Sequence, residues 1–346
     1  MPFAASLMFT TLGLWLWLKA TPERHPGRGE HVHVGSWSVA GAQPLSLRHL
    51  AAGAACIAAN FGCRPTFALS ALLCFPIFWP QITSLLQGLK SRSLPPRKAL
   101  RAPAAVIIPA LIVVLPLMAY NVARFGSPLD FGNDYQMTVT DMTRFVQPTA
   151  NFLPSVGAYL FLPLRFTSEF PFIGMMPIAF REWGYYEPMA GGLFTACPLL
   201  LLALAAPFLR RRMHRSGYWG LATCSLALAV LLTVFDSHTA GLGWRYICDF
   251  GWMMAIAALV PMLYLMHPGG DAIVAGAPDP SERNEPRRDV TKRHPMMLAC
   301  VRGLVVAALM ASIILAVLAC FIPGRDDSLI NNNPVLYDTV VAWFRL

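Results

Sequence analysis

The residues best suited to chemistry in this chain are Arg245, Tyr246 and Asp249, at the start of a long apolar segment. Arg245 and Asp249 are four residues apart, so on a helix they share one face, with Tyr246 between them in sequence. The planar guanidinium of a partly buried arginine can bind a lipid phosphate, and Asp249 can orient it. A structural salt bridge that closes the end of the helix fits the same spacing, and the sequence leaves both interpretations open.

Arg64 and Arg124 are further cations at the ends of apolar segments, and the same two interpretations apply to them. Arg124 leads into a turn rich in Gly, Pro and Asp. We therefore predict a substrate-binding set made of Arg245, Tyr246, Asp249, Arg124, Asp130 and Arg64. The carboxylates that can serve as a base for an acceptor are Asp130, Asp134, Asp141 and Glu187, and the sequence assigns a catalytic role to none of them.

The cysteines and histidines do not form a metal-binding pattern. The eight cysteines include no CxxC pair, and most lie within or at the ends of apolar segments, which is typical of small packing residues. His31 and His33 form an HVH sequence in a polar segment that supplies no further ligands. No Gly-rich phosphate loop, GxSxG or HExxH motif occurs. We expect neither a metal nor a cofactor.

The composition indicates an integral membrane protein, with 56% hydrophobic residues, 13% charged residues and a mean hydropathy of +0.52. We predict an all-α polytopic fold with about six full transmembrane helices. Two shorter apolar runs, Leu50–Ile57 and Thr66–Trp79, predict a half-length helical hairpin with Arg64-Pro65 near its tip. The predicted full spans are Phe3–Leu18, Ala102–Ala119, Gly192–Leu209, Tyr218–Phe235, Tyr246–Met266 and Leu304–Phe321.

The basic residues predict the orientation of these spans. Four segments hold 19 of the 27 basic residues and seven of the 18 acidic ones, a net charge of +12, whereas the remainder carries −3. The positive-inside rule places the basic segments in the cytoplasm, so the charge excess needs no nucleic acid as its cause. Anionic membrane lipid is the expected partner of these loops. The segments are Lys19–Arg48, Lys90–Arg101, Arg210–Arg215 and His267–Arg302.

We interpret residues 1–346 as a single membrane domain with two large loops. Residues 121–190 form an extracytoplasmic loop with interfacial helices, one of them carrying an apolar stripe through Tyr135, Val139, Met142 and Val146. Residues 267–298 form a cytoplasmic loop that we expect to be disordered. These predictions describe a multi-pass protein of the plasma (inner) membrane.

Five sequence pieces, in this order, resemble the C-terminal portion of membrane glycosyltransferases with the GT-C fold, the class that includes protein O-mannosyltransferase-like enzymes. One of the pieces is YNVARFGSPLDFG at Tyr120–Gly132. The resemblance implies transfer of a sugar from a polyprenyl-phosphate donor on the extracytoplasmic face. The other pieces are GCRPTF at Gly62–Phe67, FPFI at Phe170–Ile173, EPMAGGLFTACPLLLLAL at Glu187–Leu204 and GWRYICDF at Gly243–Phe250.

The chain departs from this family in its first segment. The family carries an acidic residue in the first external loop, but Met1–Thr10 contains no Asp or Glu. We therefore expect that this chain binds the donor and that transfer requires an upstream segment or a partner chain carrying the missing carboxylate. The alternative is a non-catalytic membrane scaffold or lipid-binding subunit.

Overall fold

The computed structural model of the chain is mostly helical and divides into two compact units. The first unit holds the described residues up to position 135 and those from 218 to Cys224. The second holds the described residues from 147 to 209 and from Ser225 onward. The structure describes residues 2–21, 45–92, 95–132, 135, 147–209, 218–266, 295–324 and 328–344.

The first unit is built from helices, and two of them are separated by a single residue. At Arg64 the backbone is extended, with φ −154° and ψ 106°, and the next helix begins at Pro65, whose missing N–H costs nothing at a helix start. In chain order the elements are α1 (Pro2–Ala20), α2 (Leu47–Cys63), a 3-10 helix (Pro65–Leu73) continuing into α3 (Cys74–Lys90), α4 (Pro96–Ala99) and α5 (Arg101–Phe125).

Helices α1 and α2 approach each other closely through glycines. A Cβ placed on Gly53 would overlap the indole ring of Trp17 and lie 2.9 Å from the carbonyl oxygen of Gly13. Asn60 Nδ2 donates to Thr10 Oγ1 over 2.9 Å, and both residues are buried. Small residues and buried hydrogen bonds of this kind stabilise helix pairs in apolar surroundings.

The second unit combines helices with one antiparallel pair of two-residue strands, in which Arg165 lies opposite Gly174. Its interior contains wholly buried side chains of two helices, among them Tyr159 and Phe250. The elements are α6 (Thr149–Phe161), β1 (Arg165–Phe166), β2 (Ile173–Gly174), α7 (Leu193–Ala196), a 3-10 helix (Pro198–Ala205), α8 (Tyr218–Thr239, shared with the first unit), a 3-10 turn (Trp244–Tyr246), α9 (Ile247–Met266), α10 (Pro295–Ala319), α11 (Leu329–Asn332) and α12 (Pro334–Ala342).

The apolar stretch between Gly192 and Leu209 is broken into two short helices. Cys197 adopts φ −135° and ψ 77° before Pro198, which ends α7 and starts a 3-10 helix. Two side-chain hydroxyls form hydrogen bonds with backbone groups near the break. Thr195 Oγ1 donates to Leu162 O over 2.6 Å, and Ser312 Oγ accepts from Leu199 N over 3.1 Å. The break therefore has its own hydrogen-bonding partners within the second unit.

Six helices of the described part of the chain are long and apolar enough to cross a membrane. Five of them match the predicted spans. Two predictions were wrong: Gly192–Leu209 is not one continuous helix, and Pro65–Lys90 is a full 26-residue helical stretch rather than half of a short hairpin. Hydropathy detects apolar length but not the helical break at Cys197. The six are Pro2–Ala20, Pro65–Lys90, Arg101–Phe125, Tyr218–Thr239, Trp244–Met266 and Ala299–Ala319.

Two predictions fall largely on residues that the structure does not describe. Of the predicted interfacial helix, only Tyr135 belongs to the described residues. Of the predicted loop at 267–298, residues 267–294 lie outside them, and α10 begins at Pro295. Within the other predicted loop, 121–190, helix α5 continues to Phe125.

Candidate functional site

The candidate site is centred on the turn between α8 and α9, where glycines are required. Gly241 has φ +79°, and a Cβ there would lie 2.5 Å from the carbonyl oxygen of Tyr185. Leu242 N donates to that same carbonyl over 3.0 Å, and Glu187 N donates to Leu242 O over 2.7 Å. The turn is thereby joined to the segment that contains Tyr185 and Glu187.

Tyr159 of α6 fixes the turn from inside the second unit. Its hydroxyl donates to Gly241 O over 2.9 Å and accepts from Gly243 N over 3.0 Å. The ring is wholly buried and packs edge-on against Phe250, with centroids 5.5 Å apart. Arg245 follows two residues after the second of these glycines, so its backbone is held by a buried anchor.

Arg245, Glu187 and Tyr185 form a compact polar group. Arg245 Nη2 lies 3.3 Å from Glu187 Oε1 and donates to Tyr185 Oη over 3.1 Å. Tyr185 Oη in turn donates to Glu187 Oε1 over 2.7 Å. The guanidinium also lies 5.3 Å from the centre of the Tyr246 ring, within range of a cation–π interaction. The Arg245 side chain remains 50% exposed.

The pKa values of the two tyrosines of the site, Tyr185 and Tyr159, are raised. Burial, together with the hydrogen bond to Glu187, raises the pKa of Tyr185 to about 12. Burial raises the pKa of Tyr159 even further, and the nearby negative charges of Asp236 and Glu187 act in the same direction. Both hydroxyls therefore remain hydrogen-bond donors at neutral pH.

Arg245 and Asp249 differ strongly in exposure, although the sequence predicts a shared helical face. Arg245 lies in the 3-10 turn before α9 and is half exposed, whereas Asp249 is wholly buried in the first turn of α9. The carboxylate seen in an ion pair with Arg245 is that of Glu187. Asp236, only 2% exposed, is a second buried carboxylate, in the last turn of α8.

The other predicted binding residues belong to the first unit and have local contacts there. The Arg64 guanidinium lies 4.1 Å from the centre of the Phe3 ring. Arg124 Nη1 donates to Tyr120 Oη over 2.8 Å, one helical turn earlier. Asp130 Oδ1 accepts from Gly132 N over 2.8 Å, which closes a tight turn. Within the second unit, the structure thus brings Arg245 and Tyr246 together with Glu187.

Sequence reasoning missed Tyr159, Tyr185 and Asp236 and did not connect Glu187 with Arg245. The signal for Asp236 was available, because extending the predicted span beyond Phe235 by one turn includes it. In the part of the chain that the structure describes, no three His, Cys, Asp or Glu residues come together in a way that could hold a metal ion. No protein-family model, curated protein or solved structure matches this chain.

Proposed function

We propose that this chain is a glycosyltransferase of the GT-C type, which binds a polyprenyl-phosphate-linked sugar through Arg245 on the extracytoplasmic face of the plasma (inner) membrane. The observation that carries the proposal is the half-exposed guanidinium of Arg245 at the end of an apolar helix, oriented by Glu187 and Tyr185. The predicted binding roles of Arg64, Arg124 and Asp130 stay predictions.

The helices and the basic residues support membrane insertion with the site outside. Helix α2 has 17 residues, which rise about 25 Å, close to the roughly 30 Å of hydrocarbon. If α2 and the broken segment from Gly192 to Leu209 also cross the membrane, all four basic segments lie on the same side of the membrane. The turn that carries Arg245 then lies on the opposite side, where the positive-inside rule puts the cell exterior.

The geometry of Arg245 suits a lipid phosphate. Nη2 makes the contacts to Glu187 and Tyr185, the Tyr246 side chain is a further hydrogen-bond partner, and the Arg245 side chain is half exposed. The guanidinium is a rigid fork of five N–H donors, so it can keep these protein contacts while its remaining N–H groups bind phosphate oxygens. If the apolar helix Trp244–Met266 spans the membrane, Arg245 at its end lies at the depth of a lipid headgroup.

Binding of polyprenyl-phosphate mannose to the purified protein in lipid nanodiscs tests the proposal. Arg245→Ala removes a charge-assisted contact worth about 1.5–3 kcal/mol, so affinity should fall roughly 10- to 150-fold. Arg245→Lys keeps the positive charge but not the planar guanidinium, so its affinity for the donor should fall less than that of Arg245→Ala. Arg181→Ala removes an exposed arginine from the neighbouring loop and is the matched control. Equal affinity in Arg245→Ala and wild type would contradict the proposal.

A lipid-binding subunit without transferase activity is the second candidate. The observation that favours it is the half-exposed Arg245 at the end of an apolar helix, which suits a bound lipid phosphate whether or not a sugar is transferred. Both candidates predict donor binding at Arg245. They differ in sugar transfer, which only the first predicts, either by this chain or together with a partner chain that carries the missing carboxylate.

A further inference from the structure

Glu187 is held in a defined position by its backbone and its neighbours. Its N–H donates to Leu242 O, and its carboxylate lies beside Gly243, where an added Cβ would stand 3.1 Å from Oε2 and 2.8 Å from the Tyr246 ring. A side chain at Gly243 would therefore push against both groups. The sequence folds so that this carboxylate packs directly over the backbone of the turn.

The two oxygens of the Glu187 carboxylate have different surroundings. Tyr185 Oη and Arg245 Nη2 both contact Oε1. The side chain is 27% exposed, so the carboxylate reaches the surface of the second unit. Both of these polar contacts are made by Oε1, whereas Oε2 makes neither of them and lies beside Gly243.

We infer that Glu187 is the base of the proposed sugar transfer, accepting the acceptor's proton on Oε2. This inference rests on the proposed function. The acceptor oxygen attacks the anomeric carbon, the bond from that carbon to the phosphate oxygen breaks, and polyprenyl phosphate leaves with the electron pair. The proton of the acceptor hydroxyl passes to Oε2, and Arg245 faces the charge that develops on the leaving phosphate.

The neighbouring groups are unsuited to this role. The Tyr185 hydroxyl keeps its proton and donates a hydrogen bond to Glu187. The guanidinium of Arg245 stays protonated in proteins and therefore cannot accept a proton. Asp236 and Asp249 are at most 2% exposed, so neither reaches a substrate from the surface. Glu187 is thus the carboxylate of the site that is accessible, and it also lies next to the proposed phosphate-binding arginine.

Glu187→Gln tests the inference, because the amide keeps the shape of the side chain and an acceptor oxygen but cannot take a proton. The probes are polyprenyl-phosphate mannose and polyprenyl-phosphate glucose in proteoliposomes, with glycerol as the hydroxyl acceptor. Loss of a general base typically lowers the rate about 10²- to 10⁴-fold. Transfer to glycerol should fall by this factor, whereas Glu182→Gln, in the same loop and exposed, should behave as wild type.

Transfer to azide as the acceptor distinguishes a catalytic base from a structural residue at Glu187. Azide is an anion that attacks the anomeric carbon without losing a proton, so glycosyl azide formation by Glu187→Gln should stay within tenfold of wild type. An equal loss of transfer rate with glycerol and with azide in Glu187→Gln would overturn the inference. So would unchanged glycerol transfer in Glu187→Gln, or a wild-type chain that binds donor and transfers its sugar to neither acceptor. Failure of donor binding itself would instead refute the proposed function.

Discussion

Replacing Tyr159 with phenylalanine removes one oxygen atom and should destabilise the second unit markedly. The ring and its edge-on contact with Phe250 remain, so the change creates little cavity. The lost hydroxyl leaves Gly241 O and Gly243 N without their partner, and both glycines are buried. An unsatisfied buried group costs about 1–3 kcal/mol, so we expect a loss of about 2–6 kcal/mol, reduced where water or backbone shifts restore a contact.

Thermal unfolding of the purified protein in detergent, followed by reaction of its thiols with a fluorogenic dye, measures this effect. Tyr186→Phe is the matched control, because Tyr186 is exposed and its ring contact with Phe180 survives the change. We expect a clear drop in the unfolding temperature of Tyr159→Phe and none in the control. Unfolding of both variants at the wild-type temperature would show that this hydroxyl does not anchor the turn.

Three further predictions follow from other parts of the chain. The free energy of unfolding should keep its full Tyr185 contribution below about pH 10 and fall towards pH 12, because the pKa of Tyr185 is raised in the folded protein and returns to its ordinary value near 10 on unfolding. Thermal unfolding measured between about pH 9 and pH 12 should show a smaller fall for Tyr185→Phe than for wild type. Gly53→Ala should lower the unfolding temperature, because its Cβ overlaps an indole ring of α1, whereas Gly157→Ala meets open space and should not. A cysteine introduced at Ser127 should react with a membrane-impermeant reagent in intact cells, and one at Ser91 only after permeabilisation, judged against the parent protein's own labelling; the reverse pattern would overturn the orientation.

Much of the helical architecture could be predicted from apolar length, and the failures have physical causes. The stretch from Gly192 to Leu209 is as apolar as the helices around it, but Pro198 cannot donate a backbone hydrogen bond and starts a 3-10 helix instead. Conversely, the apolar run Thr66–Trp79 looked too short to span, although the helix continues through Pro80 to Lys90.

The candidate site was only partly predictable for a different reason. The type and position of Arg245 identified it, because an arginine at the end of an apolar helix needs a polar setting. Its partner Glu187 lies far away in sequence, and the two are joined by a bridge between Tyr186 and Leu242 that follows no local pattern. Tyr159 resembled any other aromatic residue of an apolar segment until its hydroxyl was seen between two backbone groups.

Photocrosslinking with a polyprenyl phosphate that carries a photoreactive group beside the phosphate tests the central claim most directly. We expect labelled peptides that contain residues 183–187 and 244–249. We also expect that excess polyprenyl-phosphate mannose displaces the label and that Arg245→Ala reduces it at least tenfold. Label confined to peptides of the first unit, or label that excess donor does not displace, would contradict a phosphate site at Arg245.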